Sequence, residues 1–200
     1  LDVVLRQKKD LVVTTGTGSG KTECFLLPLM AQLAAESQHW PACPPPLANQ
    51  RWWENDQQEW QAQWGHVQRP MALRGLILYP LNALVEDQLR RLRQTLDSRD
   101  THDWLDQTRG RNRITFGRYT SLTPLPGTMD VQRLRRLGQQ LREEMAKPYQ
   151  AVIEGIQHGR FDENARWYFA NPNGGEMWSR WDMQATPPDI LITNYSMLNI

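Results

Sequence analysis

Leu11-Val-Val-Thr-Thr-Gly-Thr-Gly-Ser-Gly-Lys-Thr22, continued by Glu23-Cys-Phe-Leu-Leu-Pro-Leu-Met30, decides how the rest of this 200-residue chain is read. Leu11 to Val13 is a short apolar, β-branched run that predicts a buried strand. Gly16, Gly18 and Gly20 then give the backbone the left-handed freedom and close approach of a tight loop. From Lys21 the apolar spacing turns helical, with Phe25, Leu29 and Leu33 four residues apart, and the helix is expected to reach about Glu36. Strand, glycine loop, Lys-Thr and helix follow one another in the order that cradles a phosphate. Loop amides and the helix N-terminus face the anion, a Lys ammonium reaches the outer phosphates, and a hydroxyl ligates Mg²⁺. Thr15 stands where the strict Walker A pattern has its first glycine.

Composition leaves the partner open. Net charge is +1, from 23 basic and 22 acidic residues, so only the distribution of charge can speak for or against nucleic acid. Eight arginines and four aspartates fall between Gln88 and Arg118. A solvated helix face followed by a charged loop accounts for them as well as a binding surface does. Cys24 and Cys43 fit no zinc spacing, and His39, four residues before Cys43, is half a site at most. Unpaired thiols point to a reduced, cytoplasmic chain. Cys24, in the first turn of the helix, is expected to pack as a small apolar residue. The longest apolar stretch, Cys24 to Leu33, is interrupted and too short to span a bilayer.

The pattern breaks over residues 37–72. They hold Pro41, Pro44, Pro45 and Pro46 and five tryptophans, Trp40, Trp52, Trp53, Trp60 and Trp64. This predicts an insertion with a helix about Arg51 to Trp64. Exposed indoles would stack nucleobases, but large aromatics usually bury, and packing is the expectation.

Arg74 to Pro80 predicts a second buried strand. The helix after it, from Asn82 to Leu96, carries Leu81, Leu84, Val85, Leu89, Leu92 and Leu96 on one face, with Arg90, Arg91 and Arg93 crowding its end. Ile114 to Thr120 alternates as a third strand, ended by Pro124 to Gly127. Asp130 caps a helix bearing Val131, Leu134, Leu137, Leu141 and Met145, which Pro148 should end, with a second piece over Tyr149 to Ile156. A second insertion occupies about 124–187, irregular over 159–187, with Trp167, Trp178 and Trp181. Asp189 to Asn194 is the last strand, and Tyr195 opens another helix. Strands alternating with helices imply a parallel sheet covered on both faces, an α/β fold.

Four blocks now stand in a recognisable order. Thr15 to Glu23, Tyr79 to Gln88, Tyr119 to Pro124 and Pro188 to Leu198 resemble successive motifs of the first RecA-like lobe of superfamily 2, DEAD/DExH-type helicases. Pro188-Asp-Ile-Leu-Ile-Thr-Asn-Tyr-Ser-Met-Leu198 is most similar to the version found in the DNA-repair and phage-defence branch. The resemblance implies a P-loop NTPase three-layer sandwich with two Trp/Pro-rich insertions, an incomplete single domain over residues 1–200. It implies ATP and Mg²⁺ held by Thr15, Gly16, Thr17, Gly18, Ser19, Gly20, Lys21, Thr22 and Glu23, with Lys21 and Thr22 catalytic and Thr22 on the metal. It places a nucleic acid, DNA by branch, against Pro80, Leu81, Asn82, Gln88, Tyr119, Thr120, Thr193 and Asn194. Those positions lie just beyond strand ends, where open parallel sheets bind ligands.

The departures are specific. Leu81 and Asn82 replace a hydroxyl and a charge of the family pattern, Ser121 and Leu122 replace Gly-Asp, and Tyr195 replaces Pro. Family order puts the acidic motif beyond Ile200, and a second RecA-like lobe is the expected intramolecular partner. The piece is therefore expected to bind ATP without turning it over. Two other readings stay open: a different P-loop phosphotransferase, and a non-catalytic module whose tryptophans bind a protein.

Overall fold

Apolar runs of five residues or fewer, separated by amphipathic helices, are the material of a sheet whose strands all run one way. The computed structural model describes residues 4, 6–7, 9–14, 20–46, 50–54, 59–124 and 128–197. It forms two compact units, residues 1–40 and 41–200.

In the first unit, α1 spans Lys21–Glu36 and passes through Pro28, then tightens into a single 3₁₀ turn at Ser37–His39. The Trp40 indole N–H donates back to Glu36. The expected strand at Leu11 to Val13 is corrected: residues 11–14 carry no ladder, and Val12 is 86% exposed. β-Branched residues favour an extended backbone, but a strand exists only through its pairing partner. Burial along α1 falls on Pro28 and Leu33, whereas Phe25 and Cys24 are exposed, so the first turn is not the packed face that the spacing predicts.

The second unit holds a four-stranded, wholly parallel sheet of order β1-β4-β2-β3. The strands are β1 (Gly75–Tyr79), β2 (Phe116–Tyr119), β3 (Glu176–Met177) and β4 (Ile190–Asn194). Tyr79 pairs with Asn194 and Tyr119 with Thr193, which brings the C-terminal ends of three strands level. In β1 only Ile77 is buried. Leu76 and Leu78 are exposed on the other face, so the expectation of a strand covered on both sides does not hold there.

α2 (Asn82–Leu96) packs on the sheet through Val85, Leu89 and Leu92. Leu81 and Leu84, expected on that face, are exposed. Arg93, expected at a charged helix end, is buried instead. Its Nε and one terminal N–H donate to Glu176 at 2.6 and 2.8 Å, a bidentate clasp from α2 to β3. The charged loop after it is a helix, α3 (Arg99–Thr108), whose first turn is capped by the Ser98 hydroxyl and whose Leu105 is fully buried.

Pro148 does not end its helix. α4 (Val131–Gln140) widens into a π-helical turn at Leu141–Ala146 and continues as α5 (Lys147–Gln157). Proline falls in the first turn of α5, where its missing N–H costs least, and the wide turn carries the backbone across it.

Where the first insertion was expected to hold a helix about Arg51 to Trp64, its described residues form a 3₁₀ turn at Trp52–Glu54; residues 55–58 lie outside the described set. The second is more ordered than its composition predicts. It supplies a 3₁₀ segment at Glu163–Tyr168, β3, and α6 (Arg180–Ala185). Trp52 and Trp53 from the first insertion meet Trp178 and Trp181 from the second in one core with Leu137 and Leu141. The Trp53 and Trp178 rings cross edge to face, 4.7 Å between centroids. Packing, not exposure, is what these indoles do. After β4 the chain makes a 3₁₀ turn at Tyr195–Met197, and residues 198–200 of the expected helix lie outside the described set.

Candidate nucleotide and nucleic-acid sites

The nucleotide candidate begins where α1 begins. Thr15, Gly16, Thr17, Gly18 and Ser19 lie outside the described residues; Gly20, Lys21, Thr22 and Glu23 are described. Gly20 is the N-cap, at φ 76° and ψ 24°, a left-handed conformation that favours glycine. It brings no side chain of its own to cap the first-turn amides. Lys21 is exposed and Thr22 half-buried in that same turn, with Glu23 beside them. Next to them a groove of about 570 Å³ is lined by Lys9, Leu11, Val13, Lys21, Phe25 and Leu29. Donors, charge and hydroxyl are of the kinds that suit a polyphosphate with its divalent ion.

The nucleic-acid candidates sit at the level strand ends of the second unit. Pro80 and Leu81 are exposed, and Asn82 and Tyr119 are half-buried. Gln88, Thr120, Thr193 and Asn194 are buried and hydrogen-bonded inward. The Tyr79 hydroxyl donates to Gln88 Oε1 at 3.1 Å, and the Asn194 amide donates to Asn82 Oδ1 at 2.7 Å. The Thr193 hydroxyl donates to the Tyr119 carbonyl at 2.6 Å. The Thr120 hydroxyl accepts from the Leu122 amide, and its own amide donates to Thr123. Thr193 and Asn194 therefore tie the tips to one another, Gln88 and Thr120 brace their own loops, and the exposed residues stand on that frame.

Sequence reasoning missed α6 as part of this surface. Arg180 lies over the Tyr119 ring, 4.9 Å to its centroid, and donates to the Thr120 carbonyl at 2.8 Å. Gln184 donates to the Tyr119 hydroxyl. The available signal was Ser179-x-x-Asp182, a capping pattern: the Ser179 hydroxyl accepts from the Asp182 amide and donates to its carboxylate. Burial lifts the Asp182 carboxyl to about 6, against hydrogen bonds from Ser179 and the Gln63 amide that pull it down.

The local excess of arginine is largely answered within the fold. Arg90 and Arg91 pair with Asp87, Arg113 with Asp106, and Arg118 with Glu86. None of β1, β2 and β4 ends in an acid, and Glu176 of β3 is clasped by Arg93. Among the described residues no group of three His, Cys, Asp or Glu side chains could hold a metal, and no helix is long and apolar enough to cross a membrane.

The chain is 30% identical to the Druantia protein DruE of Escherichia coli (strain UMEA 4076-1), an alignment that covers 94% of this chain and 11% of that protein. The chain thus spans about a tenth of that relative's length. No solved structure matches it. The family model described as DEAD/DEAH box helicase matches residues 1–123, and with a wholly parallel sheet and level strand ends beside that match, the chain belongs to the DEAD/DEAH box helicase family.

Proposed function

We propose that this chain is the first RecA-like lobe of an ATP-driven DNA helicase or translocase. The observation that carries this is the start of α1: a left-handed Gly20 followed by Lys21 and Thr22 in the first turn, inside the region matched to a helicase family. Thr15 to Glu23 would hold the nucleotide, Lys21 on the outer phosphates and Thr22 on Mg²⁺. When bound, the ion would neutralise phosphate charge as the terminal group departs. Phe25 and Leu29 offer an apolar wall beside Lys21.

The strand tips would meet the DNA backbone, with Pro80, Leu81, Asn82 and Tyr119 at the surface. Gln88, Thr120, Thr193 and Asn194 act by fixing the loops. Contacts of this kind position a strand without reading its sequence. Turnover needs a carboxylate at a strand end and an arginine from a second lobe, so residues 1–200 are expected to bind ATP without hydrolysing it. Two free cysteines suit a cytoplasmic setting.

Lys21→Ala in the full-length protein should abolish ATP-dependent unwinding and leave ATP-independent DNA binding largely intact. Unwinding that survives the substitution would refute the assignment, as would steady-state ATP turnover by residues 1–200 alone.

A further inference from the structure

α4 turns its apolar side chains inward: Leu137 and Leu141 are buried in the aromatic core, and Gly138 lies against Trp52 and Trp53. Gln132, Arg135, Arg136 and Gln139 fall on the opposite side, at the i, i+3, i+4, i+7 spacing of one helical face, and all four are exposed. Elsewhere in the fold arginines are matched to acids. Those of α2 have Asp87 three and four residues before them, and Arg113, Arg118 and Arg166 also meet carboxylates. On α4, Asp130 is taken by Arg133, and Glu143 beyond it by Lys147. The positions three and four residues from Arg135 and Arg136 are Val131, Gln132, Arg133, Gly138, Gln139 and Gln140, and none is an acid. Among the described residues neither guanidinium has a hydrogen bond or an ion pair.

This helix adjoins the strand tips. A crevice of about 420 Å³ separates Thr128 and Met129, which lead into α4, from Trp60, Trp181 and Gln184. On one side of it Gln184 donates to the Tyr119 hydroxyl; on the other the Thr128 carbonyl accepts from Arg133 at 2.8 Å. From Gln132 to Gln139 the face runs about 10 Å along the helix axis. Successive phosphates of a strand in B-form DNA advance about 3.4 Å each, so about two or three fit along it. A guanidinium grips a phosphate with two parallel N–H donors, and glutamine amides add further donors. An apolar ligand would leave both guanidiniums unmet, and a single small anion would use one end of the row.

We propose that the outer face of α4 is a second DNA-binding element, in which Arg135 and Arg136 hold phosphates of the same strand that meets the tips. The inference rests on the strand-tip reading given above, and it assigns part of the second insertion to the path of the DNA.

The full-length protein, free of nucleotide, is titrated with labelled single-stranded DNA across a salt series. Arg135→Gln combined with Arg136→Gln should reduce the slope of log K against log salt by about 1.4, from two phosphates at about 0.7 each. The gap between variant and parent should then widen roughly 25-fold for each tenfold dilution of salt. Arg135→Lys with Arg136→Lys keeps both charges and should restore the slope. Gln132→Glu removes neither arginine but sets a carboxylate three and four residues before them, and should weaken binding in the same direction. Unchanged slope and affinity in the double glutamine variant, with Asn82→Ala still impaired, overturns the proposal, leaves the tips standing and gives the face to an acidic protein partner. A loss of affinity that leaves the slope as it was, and that lysine does not recover, is a packing effect and overturns it too. Parental binding by both Asn82→Ala and the double variant refutes the strand-tip reading as well.

Discussion

At the start of β4, Asp189 is fully buried and accepts from five donors: two N–H groups of Arg69, one of Arg74, and the amide and hydroxyl of Thr115. Five residues later the same strand ends in Thr193 and Asn194, whose bonds to Tyr119, Asn82 and Met197 are all between neutral groups. One end is charged, sealed and complete. The other is held at Thr193 and Asn194 by neutral groups alone, has Arg180 as the charged donor beside it, and carries exposed Pro80, Leu81 and Tyr195 around it. The foot fixes which residues pair across the sheet, because Asp189 bridges the segments entering β1, β2 and β4. The tips are held by bonds worth about 0.5–1.5 kcal/mol each, the range in which a loop can be ordered and still rearrange around a ligand.

The largest test of this contrast is Asp189→Ala. It leaves two guanidiniums and Thr115 buried without their acceptor and should cost about 3–5 kcal/mol, read from the urea unfolding midpoint. A loss below about 1 kcal/mol would mean that the foot does not carry the sheet.

A second test compares Asp189 with Asp182, a buried aspartate held by the Ser179 hydroxyl and the Gln63 amide, both neutral. Its carboxyl, lifted to about 6 by burial, lies above the roughly 4 of an unfolded chain. The folded state therefore binds this proton more tightly. The contribution is fully present below about pH 4 and declines as pH rises to about 6, a difference on the order of 3 kcal/mol. Asp182→Asn should remove that share of the decline when melting is followed from pH 4 to 7. Parallel curves for the two proteins would show that Asp182 is ionised without penalty.

The smallest effect on stability belongs to the tips. Asn82→Ala removes the acceptor of the Asn194 amide and should cost about 1 kcal/mol in thermal melting. Affinity for single-stranded DNA should fall by more than that loss of stability explains. An equal or smaller change in binding would break the division between a structural foot and a working tip.

Much of this layout was legible before any coordinates. β1, β2, β4 and α2 announce themselves because alternation and four-residue spacing are physical requirements of half-buried strands and helices. β3 is two residues long and carries Glu176, so no run of apolar residues marks it; its place comes from Arg93, 83 positions away. α3 hid behind its charges, since Leu105 is its one buried residue. The run Leu11 to Val13 erred in the other direction, showing strand composition without a pairing partner. At the tips, residue types pointed to loops that lie together at the strand ends, but nothing in one dimension separated Asn82, half-buried at the surface, from Gln88 and Thr120, which face inward.

The aromatic core shared by the two insertions has one more consequence. Trp53 rests on Trp178, and Trp52 on the helix at Leu137 and Leu141, so the first insertion completes a core that the second supplies for the most part. Trimming one of them would strand the other's indoles in water. The two are best regarded as a single cassette split in the gene and joined in space, to be kept or removed together.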